Sequence, residues 1–179
     1  MIRFRFNAQK AYQAILWMFS RSKSERLDLH TVLKACYFAD KSHLNEYSRP
    51  IFGARYRAMK YGPVPIEIYE MLKGEPLWLW EAEVDEFPWN LGARGVITPK
   101  RRLPTPNLGA FSESDLRHLE IGFDRASHLT FDERTRETHG ADWRRANLGM
   151  MDYADMIEAG PDRDQRIEDM QEIAARLVI

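Results

Sequence analysis

Apolar residues recur every three or four positions from Leu29 to Tyr47. This spacing places them on one face of an amphipathic helix. Asp28 precedes the pattern, and its carboxylate can accept a free backbone N–H group of the first turn. Asp40 lies on the apolar face of the same helix. Because an unpaired buried charge is costly, we predict that Asp40 is a buried structural residue and not a catalytic acid.

Alternation with a period of two follows over residues 52–60, where Phe52, Ala54, Tyr56 and Ala58 alternate with Gly53, Arg55, Arg57 and Met59. A period of two predicts a strand with one apolar face. Lys60 continues the apolar phase, so we expect its ammonium group to point inward toward Asp40. Backbone N–H groups of the turn at residues 61–65 are the alternative partners for this carboxylate.

The Gly62-Pro63-Val64-Pro65 stretch predicts a turn followed by a second helix. Glycine permits backbone shapes closed to other residues, and proline suits the first position of a helix. We expect one structural motif to join the first helix to this turn. Its members are Asp40, Lys60, Tyr61, Gly62, Pro63 and Pro65.

The other helical stretches begin at residues that suit N-caps: Asn7, Ser112, Thr130 and Asp152. Together these patterns predict an α+β fold that is mainly α-helical, near half helix, with about seven helices and a small antiparallel β-sheet. We expect a single globular domain over residues 1–179. Its last helix spans residues 162–179, with an inner face formed by Ile167, Met170, Ala174 and Leu177.

Residues 74–111 interrupt the helical pattern and predict a β-hairpin elaboration between two helical halves. Residues 80–84 alternate like a strand, and residues 94–98 are the expected partner. The segment from Trp78 to Trp89 is rich in tryptophan and in carboxylates. Alternation places Glu81 and Glu83 on the same face of the predicted strand. We expect this face to be exposed, together with Phe87 and Trp89, which follow the strand.

Composition restricts the classes of partner. A net charge of -1 gives no overall basic field, so strong nucleic-acid binding is not expected, and the basic cluster at residues 100–102 is predicted to be a solvated loop. A single cysteine excludes an internal disulfide and favours a reducing compartment, so we expect a cytoplasmic protein. No apolar run approaches the length of a membrane span.

Catalytic signatures are missing from the sequence. The five histidines have no metal-site spacing, and no phosphate-binding glycine loop or nucleophile elbow is present. We expect no catalytic residue, no metal and no cofactor. Cys36 is predicted to be a small buried hydrophobe, and the grouping of His139, Asp142 and Trp143 a helix end with a packing anchor.

Several stretches in order resemble the Panacea domain, the SocA-like antitoxin domain found in phage-associated proteins. They include Tyr37-Phe38-Ala39-Asp40, His43-Leu44, Arg49-Pro50-Ile51 and the run from Ala58 to Pro65. The resemblance resumes at Leu129-Thr130-Phe131, His139 and Trp143, and it covers about residues 8–158. Ser48 stands where the family usually has glycine.

The resemblance implies an antitoxin of a bacterial or prophage toxin–antitoxin system. Its partner would be a cognate protein toxin encoded by an adjacent gene and neutralised by direct contact. Delivery of the toxin to a protease is a variant of this function. Two other hypotheses stay open: a hydrolase that uses Cys36 or the region from His139 to Asp142, and a DNA-binding repressor with a basic patch at residues 94–102.

Aromatic and acidic side chains suggest where a toxin would bind. Aromatic residues contribute most to protein interfaces, and carboxylates steer a basic partner toward them. We therefore predict that Glu81, Glu83, Phe87 and Trp89 contribute to toxin recognition. The alternative surface lies around Arg55, Arg57 and the turn at residues 62–65.

Overall fold

The computed structural model describes residues 1–176, and its two longest helices form the most extensive helix–helix contact of the fold. They are α2 (Leu29–Tyr47) and α5 (Glu113–His128), which pack side by side. Gly122 of α5 lies so close to α2 that a Cβ atom there would be 2.5 Å from the carbonyl oxygen of Ala35. The absence of a side chain at this position therefore allows the two backbones to approach closely.

Nine α-helices lie within residues 1–176, two more than the sequence predicts, and the fold class is the expected mainly helical α+β class. The two additional helices, α4 and α7, are each six residues long. Besides α2 and α5, the helices are α1 (Ala8–Arg21), α3 (Ile66–Lys73), α4 (Pro76–Glu81), α6 (Phe131–Thr138), α7 (Ala141–Ala146), α8 (Tyr153–Met156) and α9 (Arg163–Arg176).

Five short strands form two antiparallel sheets in the described chain, where the sequence predicts one. One sheet is a hairpin of β2 and β3 with Lys60 and Tyr61 at its tip. The other has the order β1-β5-β4. The strands are β1 (Leu27–Asp28), β2 (Tyr56–Met59), β3 (Gly62–Pro65), β4 (Trp89–Leu91) and β5 (Val96–Pro99).

Strand predictions are only partly correct. Residues 80–84, expected to form a strand, instead complete α4 and its C-terminal turn, because Pro76 provides a favourable first residue for a helix. The expected strand at residues 52–60 shortens to β2, and the predicted turn at Gly62–Pro65 is itself β3. A hairpin does form within residues 78–102, between β4 and β5.

Helix termini agree well with the sequence. Asn7, Asp28, Ser112, Thr130 and Asp152 all cap helices with their side chains, and the two predicted capping boxes are present. Each cap supplies an acceptor for an N–H group that lacks a partner within the helix.

Both ends of the described part of the chain lie on the helical body. The first six residues form an arm without a strand, fixed by a hydrogen bond from the Asn7 N–H to the Phe52 carbonyl at 2.9 Å. In α9, Met170 is buried as expected, whereas Leu177 lies outside the described residues. Within residues 1–176, no helix has the length and apolar character needed to cross a membrane.

Candidate functional site

Asp40 forms the centre of a buried hydrogen-bond network, as its place on the apolar face of α2 predicts. One carboxylate oxygen accepts the N–H groups of Ile51 at 2.7 Å and Phe52 at 3.1 Å, and the other accepts the Tyr56 hydroxyl at 2.9 Å. Burial raises the pKa of Asp40 to about 7, although the three donors lower it. The residue therefore holds the chain after α2 against the start of the hairpin.

The prediction that Lys60 or the turn at residues 61–65 contacts Asp40 is wrong. Lys60 is exposed at the tip of the hairpin, and its ammonium lies 5.2 Å from the centre of the Tyr61 ring. The residues before β2 reach Asp40 first, because the chain turns sharply after α2 and presents the N–H groups of Ile51 and Phe52. The sequence pattern alone gives no sign of this turn toward the carboxylate.

Lys34 takes the inward position that was expected of Lys60. Its side chain is buried, and its ammonium donates to the Pro63 carbonyl at 2.7 Å. Burial, together with the charge of Arg134, lowers the pKa of Lys34 to about 7. The lysine thus connects α2 to β3.

Gly62 has no room for a side chain. Its φ angle is +99°, and an added Cβ would lie 2.4 Å from Oγ1 of Thr138 and 3.0 Å from the ammonium of Lys34. Pro63 and Pro65 follow it in β3, and Pro65 immediately precedes α3. The Gly-Pro-Val-Pro stretch is therefore a tightly packed strand and not a solvated turn.

Sequence stretches that are far apart in the chain meet at the hairpin. The Trp143 indole donates to the Met59 carbonyl at 2.9 Å, and the His139 ring stacks on Trp143 at 3.7 Å. The Phe131 ring contacts Tyr61 edge-on at 5.2 Å. These contacts bring the later block of the family resemblance against the earlier one.

An apolar groove of about 310 Å³ opens beside the hairpin, between β3, the start of α2 and α6. Tyr61 and Phe131 form its aromatic edge and are 47% and 42% exposed. The groove is lined mainly by apolar side chains, among them Leu29, Leu33, Met59, Val64 and Tyr69. Exposed aromatic side chains beside a concave apolar surface are typical of binding sites.

A second exposed apolar surface lies on α4. Trp80 is 83% exposed and Leu77 is 61% exposed, and their spacing of three residues places them on the same side of the helix. Glu81 and Glu83 follow, and both are exposed. Neither carboxylate forms an ion pair within residues 1–176. We call Leu77, Trp80, Glu81 and Glu83 the α4 surface.

The expectation that Phe87 and Trp89 are exposed is wrong. Both are buried and stack on each other with ring centres 5.0 Å apart, and Trp89 also lies 5.6 Å from the Tyr12 ring of α1. The apolar face of α1 takes up both rings, which the local sequence could not reveal. Trp80 is the tryptophan that remains at the surface.

Arg55 and Arg57 are both exposed, as the alternative surface requires. Arg55 is held by Glu67, whose carboxylate accepts its backbone N–H at 2.8 Å and its Nε at 2.5 Å. Arg57 lies opposite Val64 in the hairpin. The two arginines therefore differ, since only Arg57 lacks a carboxylate partner in the described chain.

The residues named by the hydrolase hypothesis take part in packing and in structural hydrogen bonds. Cys36 is buried, and burial together with Asp40 raises the pKa of its thiol well above the ordinary value. Asp142 accepts the Tyr37 hydroxyl and lies 3.0 Å from the ammonium of Lys41. The His139 ring stacks on Trp143, and no hydrogen bond or ion pair joins it to Asp142 in the described structure.

The described residues contain no group of three His, Cys, Asp or Glu side chains placed to hold a metal ion. The sequence analysis did not predict that Lys34 is buried or that Trp80 is exposed. The position of Lys34 among apolar neighbours in α2 was a signal for its burial.

Comparisons with curated proteins and with solved structures give no match. A family model described as "Antitoxin SocA-like, Panacea domain" matches residues 32–144, a range that includes α2 from Val32 onward, both hairpin strands, α6 and Trp143. Because this match spans more than half of the 179 residues, the chain belongs to the SocA-like Panacea domain family.

Proposed function

We propose that this protein is an antitoxin that neutralises a cognate protein toxin by direct binding. Membership of the SocA-like antitoxin family is the observation that carries the proposal. The polar network around Asp40 is occupied with structural hydrogen bonds, which agrees with a binding function. The toxin would be the product of an adjacent gene.

The α4 surface is the proposed toxin-binding surface. A tryptophan that is 83% exposed offers a large apolar contact, and tryptophan is among the residues most enriched at interface hot spots. Glu81 and Glu83 would attract a basic partner and accelerate its association. Toxins that act on RNA or nucleotides often have basic surfaces, so this charge suits such a partner.

The α4 surface is held in place before any partner arrives. The Trp78 indole donates to Glu70 of α3 at 2.9 Å, and the Trp78 ring contacts Phe6 at 5.1 Å. Trp80 projects from a helix fixed on its inner side, so little conformational entropy would be lost on binding. The surface also lies in the elaboration between helical halves, where sequence changes disturb the core least.

Co-expression with the adjacent reading frame tests the proposed function. The neighbour should arrest growth when expressed alone and be harmless with this protein, and the two purified proteins should form a complex. A neighbour that is harmless alone, or equally toxic in both cases, would contradict the proposal. Toxin abundance separates the two modes of neutralisation, because simple binding leaves the toxin level unchanged whereas delivery to a protease lowers it.

A further inference from the structure

Three cationic side chains around the apolar groove have no carboxylate partner within residues 1–176: Arg57, Lys60 and Arg94. Arg57 lies on the same face of β2 as Met59, directly opposite Val64, and both of those residues line the groove. Lys60 lies over the ring of Tyr61 at the groove edge, and Arg94 is part of the lining. The groove therefore combines apolar walls with an uncompensated positive edge.

Other charged or polar side chains at the groove form hydrogen bonds or ion pairs within the protein. The Asp28 carboxylate caps α2 by accepting the Thr31 N–H at 2.8 Å, and it also lies 3.4 Å from the Arg134 guanidinium. Lys34 donates to Pro63, and His30 accepts from Arg134 at 3.1 Å. The positive edge is thus not neutralised from within the groove.

Arg94 is held in a conformation that a non-glycine residue seldom adopts. Its φ angle is 60°, and Gly95 beside it has a φ angle of 75°. Left-handed backbone is sterically unfavourable for a residue with a side chain. Such strain is concentrated at functional sites. Here the turn places a guanidinium group beside the mouth of an apolar groove.

We propose that this groove binds a short segment of a partner protein that carries an aromatic or large aliphatic side chain flanked by carboxylates. The apolar side chain enters the groove and packs against the exposed faces of Tyr61 and Phe131, where ring contacts replace exposure to water. Its acidic neighbours pair with Lys60 and Arg94 at the edge. Charge complementarity selects this class of segment over a neutral or basic one.

The groove and the α4 surface have opposite charge, so they suit different parts of a partner or different partners. The inference about the groove does not rest on the proposed antitoxin function. Peptide binding can fail while toxin neutralisation holds, and the reverse can also occur.

A phage-displayed library of random twelve-residue peptides tests the inference with the whole protein as the target. Selected peptides should contain an aromatic residue or leucine beside at least two Asp or Glu residues. Their affinity, measured by fluorescence anisotropy on the synthetic peptide, should fall about tenfold in Tyr61→Ala and in Arg94→Asn. Asparagine tolerates the left-handed conformation, so the second change removes charge without altering the turn.

Trp80→Ala is the matched control, because it removes an exposed aromatic side chain from a different surface. Peptide affinity should be unchanged in this variant and should weaken as salt concentration rises. Thermal unfolding of each variant verifies that it is folded. The proposal is overturned if no peptide is enriched, if the enriched peptides lack acidic residues, or if folded Tyr61→Ala binds them as well as the wild type does.

Discussion

The Asp40 carboxylate accepts the Tyr56 hydroxyl at 2.9 Å and thereby joins α2 to the first strand of the hairpin. Both residues are fully enclosed, and two backbone N–H groups share the same carboxylate. The hairpin that carries Tyr61 and the groove edge is therefore tied to α2 through Asp40, in addition to the bond from Lys34 to β3.

Asp40→Ala should destabilise the protein by about 3 kcal/mol or more, because two buried N–H groups lose their acceptor and the Tyr56 hydroxyl loses the shorter of its two hydrogen bonds. Tyr56→Phe removes only one of these donors and should cost about 1 kcal/mol. Urea unfolding of both variants and the wild type measures the two costs. Equal stability of Asp40→Ala and the wild type, combined with lost toxin neutralisation, would instead assign Asp40 a contact role.

The free energy of unfolding should rise between about pH 7.5 and pH 9 through Lys34. The pKa of Lys34 is lowered to about 7 in the folded protein from its ordinary 10.5, so the unfolded chain holds more protons across this range. Stability then increases by up to about 1.4 kcal/mol per pH unit. Lys34→Met should lose this increase; an identical pH dependence in both proteins would refute the assignment.

Ser48→Gly should stabilise the protein by about 1 kcal/mol. Ser48 ends α2 in the left-handed conformation, with φ of 54° and ψ of 23°, which glycine adopts without steric cost. The glycine expected at this position from the family resemblance would fit this backbone shape. Ser48→Val is the opposing control and should lower the melting temperature, since a β-branched residue is least tolerant of this backbone shape.

Toxin affinity should fall at least about tenfold in Trp80→Ala and in the double variant Glu81→Lys with Glu83→Lys. Leu148→Ala, at another exposed apolar position, is the control and should bind normally. Calorimetric titration with the purified toxin measures all three affinities. Unchanged affinity in both test variants would move the interface to the surface around Arg55, Arg57 and the hairpin.

Cys36→Ala should leave toxin neutralisation intact, apart from a modest loss of stability. The thiol is buried, and its raised pKa keeps it protonated and unreactive at neutral pH. Growth rescue in co-expressing cells is the measurement. A folded Cys36→Ala variant that fails to rescue growth would revive the hydrolase hypothesis.

Helices and their ends could be predicted from sequence because the signals that set them are local. The side chain of Asn7 or Ser112 reaches an N–H group only three residues away. The burial of Asp40 followed from helical spacing alone. These elements need no knowledge of the distant chain.

Contacts with residues from distant parts of the chain could not be predicted from the sequence. Five alternating residues at 80–84 are compatible with either a strand or a helix, and Pro76 decided between them. Phe87 and Trp89 became buried because α1 offers aromatic neighbours more than sixty positions earlier. Likewise, the acceptor for Lys34 is a carbonyl in β3, which only the folded hairpin places beside α2.

The two prolines of β3 also limit the addition of a further strand at the outer edge of the hairpin. In a hairpin with a two-residue tip, the backbone N–H groups of Gly62 and Val64 point toward β2. The nitrogens of Pro63 and Pro65 therefore lie on the outer edge of the hairpin, where they have no hydrogen to donate. The Pro63 carbonyl on that edge is taken by Lys34. The opposite edge, along β2, is covered by hydrogen bonds with Gly149 and Met151. Neither edge of this hairpin therefore offers free backbone groups for the addition of another strand, and a partner must be recognised at the hairpin through side chains. The unbound protein is also protected at this sheet against aggregation by strand pairing.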